Sequence, residues 1–165
     1  MSKIINQSIR KQILLENIVI KIGDSHDPKI AALLQASHAM MEKLFPLEDN
    51  LCLSIDDFCA PDIQLFVAQC GEAVLGCVGL ANRQSYGEIK SMFVSEDARN
   101  LGIASMLMDQ IDKEAGSLKL PVIKLETGNK LGAAQNLYTR HGFIRCGPFG
   151  DYKENGSSVF MEKIF

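Results

Sequence analysis

Three apolar runs, "IQLFVAQ" (63–69), "AVLGCVGLANR" (73–83) and "YGEIKSMFV" (86–94), follow one another with only short turns between them. Gly71-Glu72 joins the first two as a tight turn, so they read as antiparallel strands. The period then changes. Ile103, Leu107, Ile111 and Ala115 recur every four residues with Met106 beside them, which predicts a helix from about 102 to 116. A further strand, "PVIKLETG", begins at Pro121. A helix between two strands requires a parallel crossover, whereas short turns require antiparallel neighbours. The chain is therefore bound to a mixed α/β (α+β) sheet, mostly antiparallel, with helices packed on it.

The flanking segments extend this pattern. "NIVIKIG" alternates apolar and polar residues and reads as a first strand. Asp27 is a good N-cap with Pro28 at the first helical position. Ile30, Leu33, Leu34, Ser37, Met41 and Leu44 form one stripe of a helix from 28 to about 45. Ser54 followed by Asp57 marks a short helix start. "AAQNLYTRHG" is a short helix closed by Gly142, and "FIRCGPFG" and "SSVFMEKIF" read as two final strands. Simple alternation in the fourth strand puts Ile89, Ser91 and Phe93 on one face, and Glu88, Lys90, Met92 and Val94 on the other. A length of 165 residues fits a single domain over 1–165, with 1–15 an arm in which Ser8 to Leu15 forms a short helix or none.

A net charge of −3 argues against a nucleic-acid binder, since phosphate backbones require a basic surface. No stretch reaches the ~18 apolar residues of a membrane span, and the N-terminus does not read as a signal peptide. The five cysteines, Cys52, Cys59, Cys70, Cys77 and Cys146, form no C-x-x-C pair, and with three histidines they show no metal-ligand spacing. Reduced thiols and a cytoplasmic location are the expectation, with Cys70 and Cys77 as small core hydrophobes.

The loop "SEDARNLGIAS" is the candidate site. The first N–H groups of a helix have no intrahelical partner, and the helix dipole favours an anion there. N–H groups from Leu101 to Ser105, through Ile103, are placed to receive a phosphate. Gly102 has no Cβ to keep the main chain away, Ala104 keeps the other side shallow, and Arg99 adds a cation. The plainer reading is that Gly102 shapes a turn and Arg99 is solvated. The two other glycine-rich phosphate motifs, G-x-x-x-x-G-K-[ST] and G-x-G-x-x-G after a strand, are absent from the sequence.

"R-N-L-G-I-A" after a strand ending "MFV", with "LY-x-x-x-GF" some way on, resembles the GNAT superfamily of acetyl-CoA-dependent N-acyltransferases. Arg99, Gly102 and Ala104 fill the fixed places of that superfamily's Q/R-x-x-G-x-G/A pyrophosphate motif. The segments "GEIKSMFV", "KLETG" and "CGPFGDY…SVFMEK" further resemble a small bacterial branch, often without an assigned substrate. The resemblance implies a bulged fourth strand splayed from the fifth, with helices on both faces. It implies a pantetheine arm against the backbone of Met92, Phe93 and Val94, and a pyrophosphate on N–H groups from Asn100 to Ala104. Tyr138 matches the family's general acid, which protonates the departing thiolate, and Asn136 is placed to bond the pantetheine. Many relatives carry Asn seven residues before the tyrosine. Leu131 stands there instead, with Asn129 two residues off.

Taken alone, Tyr138 is a packed aromatic with its hydroxyl at a rim. Glu88 is either the general base for an ammonium substrate, or the partner of a salt bridge to Lys90 or an exposed strand charge; Glu126 is a second candidate base. His141 reads as a helix C-terminal cation and His38 as a packed or surface histidine. Asp151 and Tyr152 line the acceptor pocket or only form a turn. Glu48, Asp49, Asp56 and Asp57 either favour a cationic amine or serve as solvated cap charges. The expectation is an acetyl-CoA-dependent enzyme acting on an amine-bearing acceptor, without metal, nucleic acid or membrane. Its rival is a non-catalytic acyl-CoA-binding module on the same fold, and exposed strand edges permit a homodimer.

Overall fold

A computed structural model describes residues 11, 12 and 14–165. Residues 11–12 and 14–16 are helical; the rest of the proposed arm lies outside the described residues. The chain then forms β1 (Ile18–Ile22), α1 (Pro28–Leu44), β2 (Ile63–Cys70), β3 (Ala73–Asn82), β4 (Gly87–Val94) and α2 (Ile103–Ser117). It continues through β5 (Val122–Gly128), α3 (Gly132–Arg140), β6 (Ile144–Cys146) and β7 (Ser158–Ile164). Seven strands make one sheet in the order β1-β2-β3-β4-β5-β7-β6. Among the described residues only the β4–β5 pair is parallel, as the crossover through α2 requires.

Local chemistry sets the ends of these elements. Asp27 Oδ1 accepts from the N–H groups of Lys29 and Ile30 at 2.8 and 3.4 Å, starting α1. Ser54 and Asp57 bond reciprocally, Ser54 N–H to Asp57 Oδ2 at 2.7 Å and Asp57 N–H to Ser54 Oγ at 3.2 Å. That pair opens a single 3₁₀ turn, Asp56–Cys59. β6 is shorter than the sequence pattern predicts. It stops at Cys146, before Gly147-Pro148, where Pro148 has no N–H to continue a ladder.

The sheet buries both faces. Leu65, Val67 and Cys77 pack with Ile30, Leu33 and Leu34 of α1. Phe66, Ala68, Val78 and Leu80 pack with Ile103, Leu107, Met108, Ile111 and Ala115 of α2, joined by Leu137 and Tyr138 of α3. β4 departs from the alternation expected of it. Between Cys77 and Gly79, β3 advances two residues while β4 advances three, from Phe93 back to Lys90. The extra residue is a β-bulge at Ser91, whose φ is 54°. It reverses the phase of the strand. Ile89 therefore joins the α2 layer and Phe93 the α1 layer, rather than sharing a face.

Candidate active site

β4 and β5 pair only over Gly87–Ile89 with Ile123–Leu125, although both strands run further. Beyond Ile89 they splay, and a cavity fills the gap. Lys90, Ser91 and Met92 line it from β4, and Glu126, Thr127 and Gly128 from β5. Leu131, Ala134 and Tyr138 close it from the α3 side, Met40 and Met41 from α1, and Asp49 and Cys52 from the segment after α1. Gly128 admits this closure: a Cβ there would come within 2.1 Å of the Phe45 ring at the end of α1. Lys130 Nζ donates to Leu44 C=O at 2.8 Å across the same junction.

Past Val94 the chain runs through a 3₁₀ turn, Glu96–Ala98, into the start of α2. Asn100 and Gly102 both have positive φ, 62° and 81°. No side chain caps the helix, and its first i→i−4 bond runs from Met106 N–H to Gly102 C=O at 3.1 Å. The N–H groups of Ile103, Ala104 and Ser105 precede that bond, so this helix start suits an anion. Arg99 is exposed beside it. Its guanidinium lies 5.9 Å from the Phe93 ring centroid, and its Nε reaches Val94 C=O at 3.4 Å. Asn136 is exposed on α3, two residues from the Ala134–Tyr138 stripe, and is not part of the cavity wall.

Tyr138 is 5% exposed and rests on Phe143 at 5.9 Å between ring centroids. Burial first, then the nearby Glu126 charge, raise its phenol above the ordinary range, so it keeps its proton. Glu126 is also raised, chiefly by burial, although the bond from Ser158 Oγ at 2.6 Å and the Lys90 charge oppose the rise. Asp49 Oδ2 accepts from Ser157 Oγ at 2.5 Å. Consecutive serines thus hold the two carboxylates that border the cavity.

Glu88 occupies a different position. It is 4% exposed and does not line the cavity. Its carboxylate accepts from Arg83 Nε at 3.2 Å, Lys90 Nζ at 3.1 Å and Tyr152 Oη at 2.5 Å. Arg83 also reaches Asp62 at 2.7 Å. A carboxylate with these partners behind the wall stabilises Lys90 and Tyr152, which do line it. Asn129 is likewise taken up in structure, its Nδ2 donating to Gly156 C=O at 2.7 Å. His141 Nε2 lies 3.2 Å from Ser105 Oγ and joins α3 to α2. His38 Nε2 is buried without a hydrogen-bond partner among the described residues. Of the acidic cluster after α1, Asp49 reaches the cavity, while Asp56 and Asp57 bond His26 and Ser54.

Sequence reading missed Ser157, Ser158 and Lys90 as parts of this site. Ser158 meets Glu126 diagonally across the β5–β7 ladder, where Gly128 pairs Ser158 and Glu126 pairs Phe160. That contact depends on register, for which the sequence carries no local signal.

A protonated phenol and a desolvated carboxylate thus share one slot between splayed strands, and the lining strand leads into an uncapped helix start. Such a layout serves group transfer from a donor with a phosphate-bearing tail. Residues 61–145 match the family described as "Acetyltransferase (GNAT) domain". The chain is 33% identical to an IAA acetyltransferase of Azospirillum brasilense over 90% of this chain and 99% of that protein. It is 33% identical to the uncharacterized N-acetyltransferase YsnE of Bacillus subtilis (strain 168) over 87% and 97% of the two chains. A Klebsiella pneumoniae crystal structure, provisionally assigned as an acyl-CoA N-acyltransferase, superposes with a TM-score of 0.74. It shares 25% identity over 89% of this chain and 97% of that one. A GNAT family acetyltransferase from Elizabethkingia anophelis with acetyl-CoA bound has the same fold, at TM-score 0.68 and 21% identity over 90% and 99%. The chain belongs to the GNAT acetyltransferase family and is an acyltransferase.

Proposed function

We propose that this chain transfers the acetyl group of acetyl-CoA to a primary amine by direct attack in a ternary complex. The observation that carries the reading is the placement of Tyr138 and Glu126 on one cavity at the β4–β5 splay. Acetyl-CoA supplies an activated thioester. Its pyrophosphate is held by N–H groups from Asn100 to Ser105 with Arg99 alongside, and its pantetheine by the backbone of Met92 to Val94. A strand N–H in that stretch bonds the carbonyl oxygen as charge develops on it.

Glu126 takes a proton from the incoming ammonium. The neutral amine attacks the carbonyl carbon, the C–S bond breaks, Tyr138 passes its proton to the departing sulfur, and the surplus proton of the new amide nitrogen returns to the phenolate. The two groups are coupled in the useful direction. Glu126 as an anion is one of the causes that hold the phenol proton in place, so neutralising Glu126 makes Tyr138 a better acid at the moment it is needed. Glu88, the β4 candidate for the base, has in this reading the role of fixing Lys90 and Tyr152 on the wall.

Thiol release from acetyl-CoA across an amine panel tests the proposal. Tyr138→Phe is expected to lower turnover by about 10²-fold or more while acetyl-CoA binding persists. Unchanged turnover on a verified acceptor would remove Tyr138 from this role. Binding with no thiol release on any amine would favour a non-catalytic acyl-CoA module.

A further inference from the structure

Away from the cavity, a second cluster joins the turn before α1 to the 3₁₀ turn Asp56–Cys59. Cys59 Sγ lies 3.4 Å from His26 Nδ1, and His26 Nε2 lies 2.9 Å from Asp56 Oδ1. A carboxylate can only accept, so Asp56 fixes the proton of the neutral imidazole on Nε2. Nδ1 is then left with its lone pair toward the thiol. Asp24 stands 3.7 Å from the same Nδ1 and accepts from His26 N–H at 2.9 Å, which holds the ring's backbone in place. The imidazolium formed by taking the Cys59 proton is thus flanked by two carboxylates, Asp24 and Asp56. Buried Ser25 lies 3.6 Å from Cys59 Sγ and donates to Ile55 C=O at 2.9 Å, which pins the two turns together. The remaining charge on this turn, Asp57, is occupied by Ser54.

We propose that Cys59, with His26 as its base and Asp56 orienting that base, is a reactive thiol and a site of reversible modification by small disulfides. His26 Nδ1 takes the thiol proton, and the thiolate attacks one sulfur of a low-molecular-weight disulfide. The S–S bond of the reagent breaks and a Cys59 mixed disulfide forms. The departing thiolate takes the proton from His26; Cys59 is oxidised and half of the reagent reduced. Cys59 is exposed and needs no cavity for this reaction.

Alkylation of the full native chain by iodoacetamide between pH 6 and 9, read cysteine by cysteine by peptide mass spectrometry, tests the proposal. Cys52 is a slow reference, its thiol raised first by burial and then by the Glu126 charge, so the deciding comparison is Cys59 with and without His26. Cys59 is expected to react at least about 10-fold faster than Cys52 near pH 7. His26→Gln should slow Cys59 by about 10-fold near pH 7, and Asp56→Asn should give an intermediate rate. Oxidised glutathione should add preferentially at Cys59 and be released by a reducing thiol. Both substituted side chains are largely exposed, and unchanged melting temperatures will show that the variants are folded. Equal rates for Cys59 and Cys52, or a Cys59 rate indifferent to His26→Gln, would overturn the assignment.

Discussion

At the residue scale, the proposed chemistry turns on what burial does to Glu126. Its carboxyl is raised by desolvation, so it loses its proton at higher pH than an exposed glutamate. A base must be unprotonated to act. Turnover is therefore expected to climb with pH through that raised value, and Glu126→Gln should remove this limb and lower kcat by about 10²-fold. A kcat profile from pH 5 to 9 checks both, and an unaltered limb in the variant would assign it to another group. The same shift has a stability consequence. The folded state holds the proton to higher pH than the unfolded chain, so stability falls as pH rises through the window between the two values. Glu126→Gln should then be more stable than the parent at neutral pH, with the gap closing in acid; urea melts at pH 4 and 7.5 measure it. For neighbouring Tyr138 the residues alone gave a packed aromatic, which its burial against Phe143 matches, and only the family resemblance implied an acid. Glu126 was only the second candidate base, because burial, Ser158 and the phenol reach it from elsewhere in the chain.

Two elements form the donor side of the proposed site, β4 and the start of α2. The bulge at Ser91 shows how far one inserted residue reaches. Strict alternation would send Ile89 and Phe93 to the same layer, but the bulge sends Phe93 to α1 and leaves Ile89 with α2. The resemblance to other chains implied a bulge here; the periodicity did not, since a period-2 pattern carries no mark of an extra residue. The start of α2 was more legible. Its glycine, small residue and arginine sit within six positions, so local geometry decides them. Gly102 has φ 81°, which an L side chain adopts at a cost of about 1–2 kcal/mol. Gly102→Ala is expected to lose about that much stability, although its Cβ would meet nothing within 4 Å. It should also bind acetyl-CoA more weakly, with kcat at saturation little changed. A lowered kcat with unaltered affinity would mean that this turn does not hold the donor.

On the scale of the whole molecule, binding and folding are linked. A ligand that binds only the folded chain at about 100 times its Kd adds about 2.7 kcal/mol. For a chain of this size that amounts to a rise of roughly 5–10 °C in Tm. Acetyl-CoA is expected to produce such a shift, and Gly102→Ala a smaller one at the same concentration; no shift with any acyl-CoA would count against the donor site. The core should respond differently. Leu107, fully buried between α2 and the sheet, should cost about 2–5 kcal/mol as Leu107→Ala without a selective effect on donor affinity. The sequence by itself determined the order of strands and helices, the antiparallel start, the single parallel crossover and the glycine turn that opens α2. Those features rest on turn chemistry, capping and side-chain period, which act over a few residues. Tertiary structure alone decided where β4 and β5 part, which carboxylate faces Tyr138, and that Glu88 stands behind the wall. These depend on strand register and on burial by segments distant along the chain, where packing and desolvation are set by the whole assembly of layers.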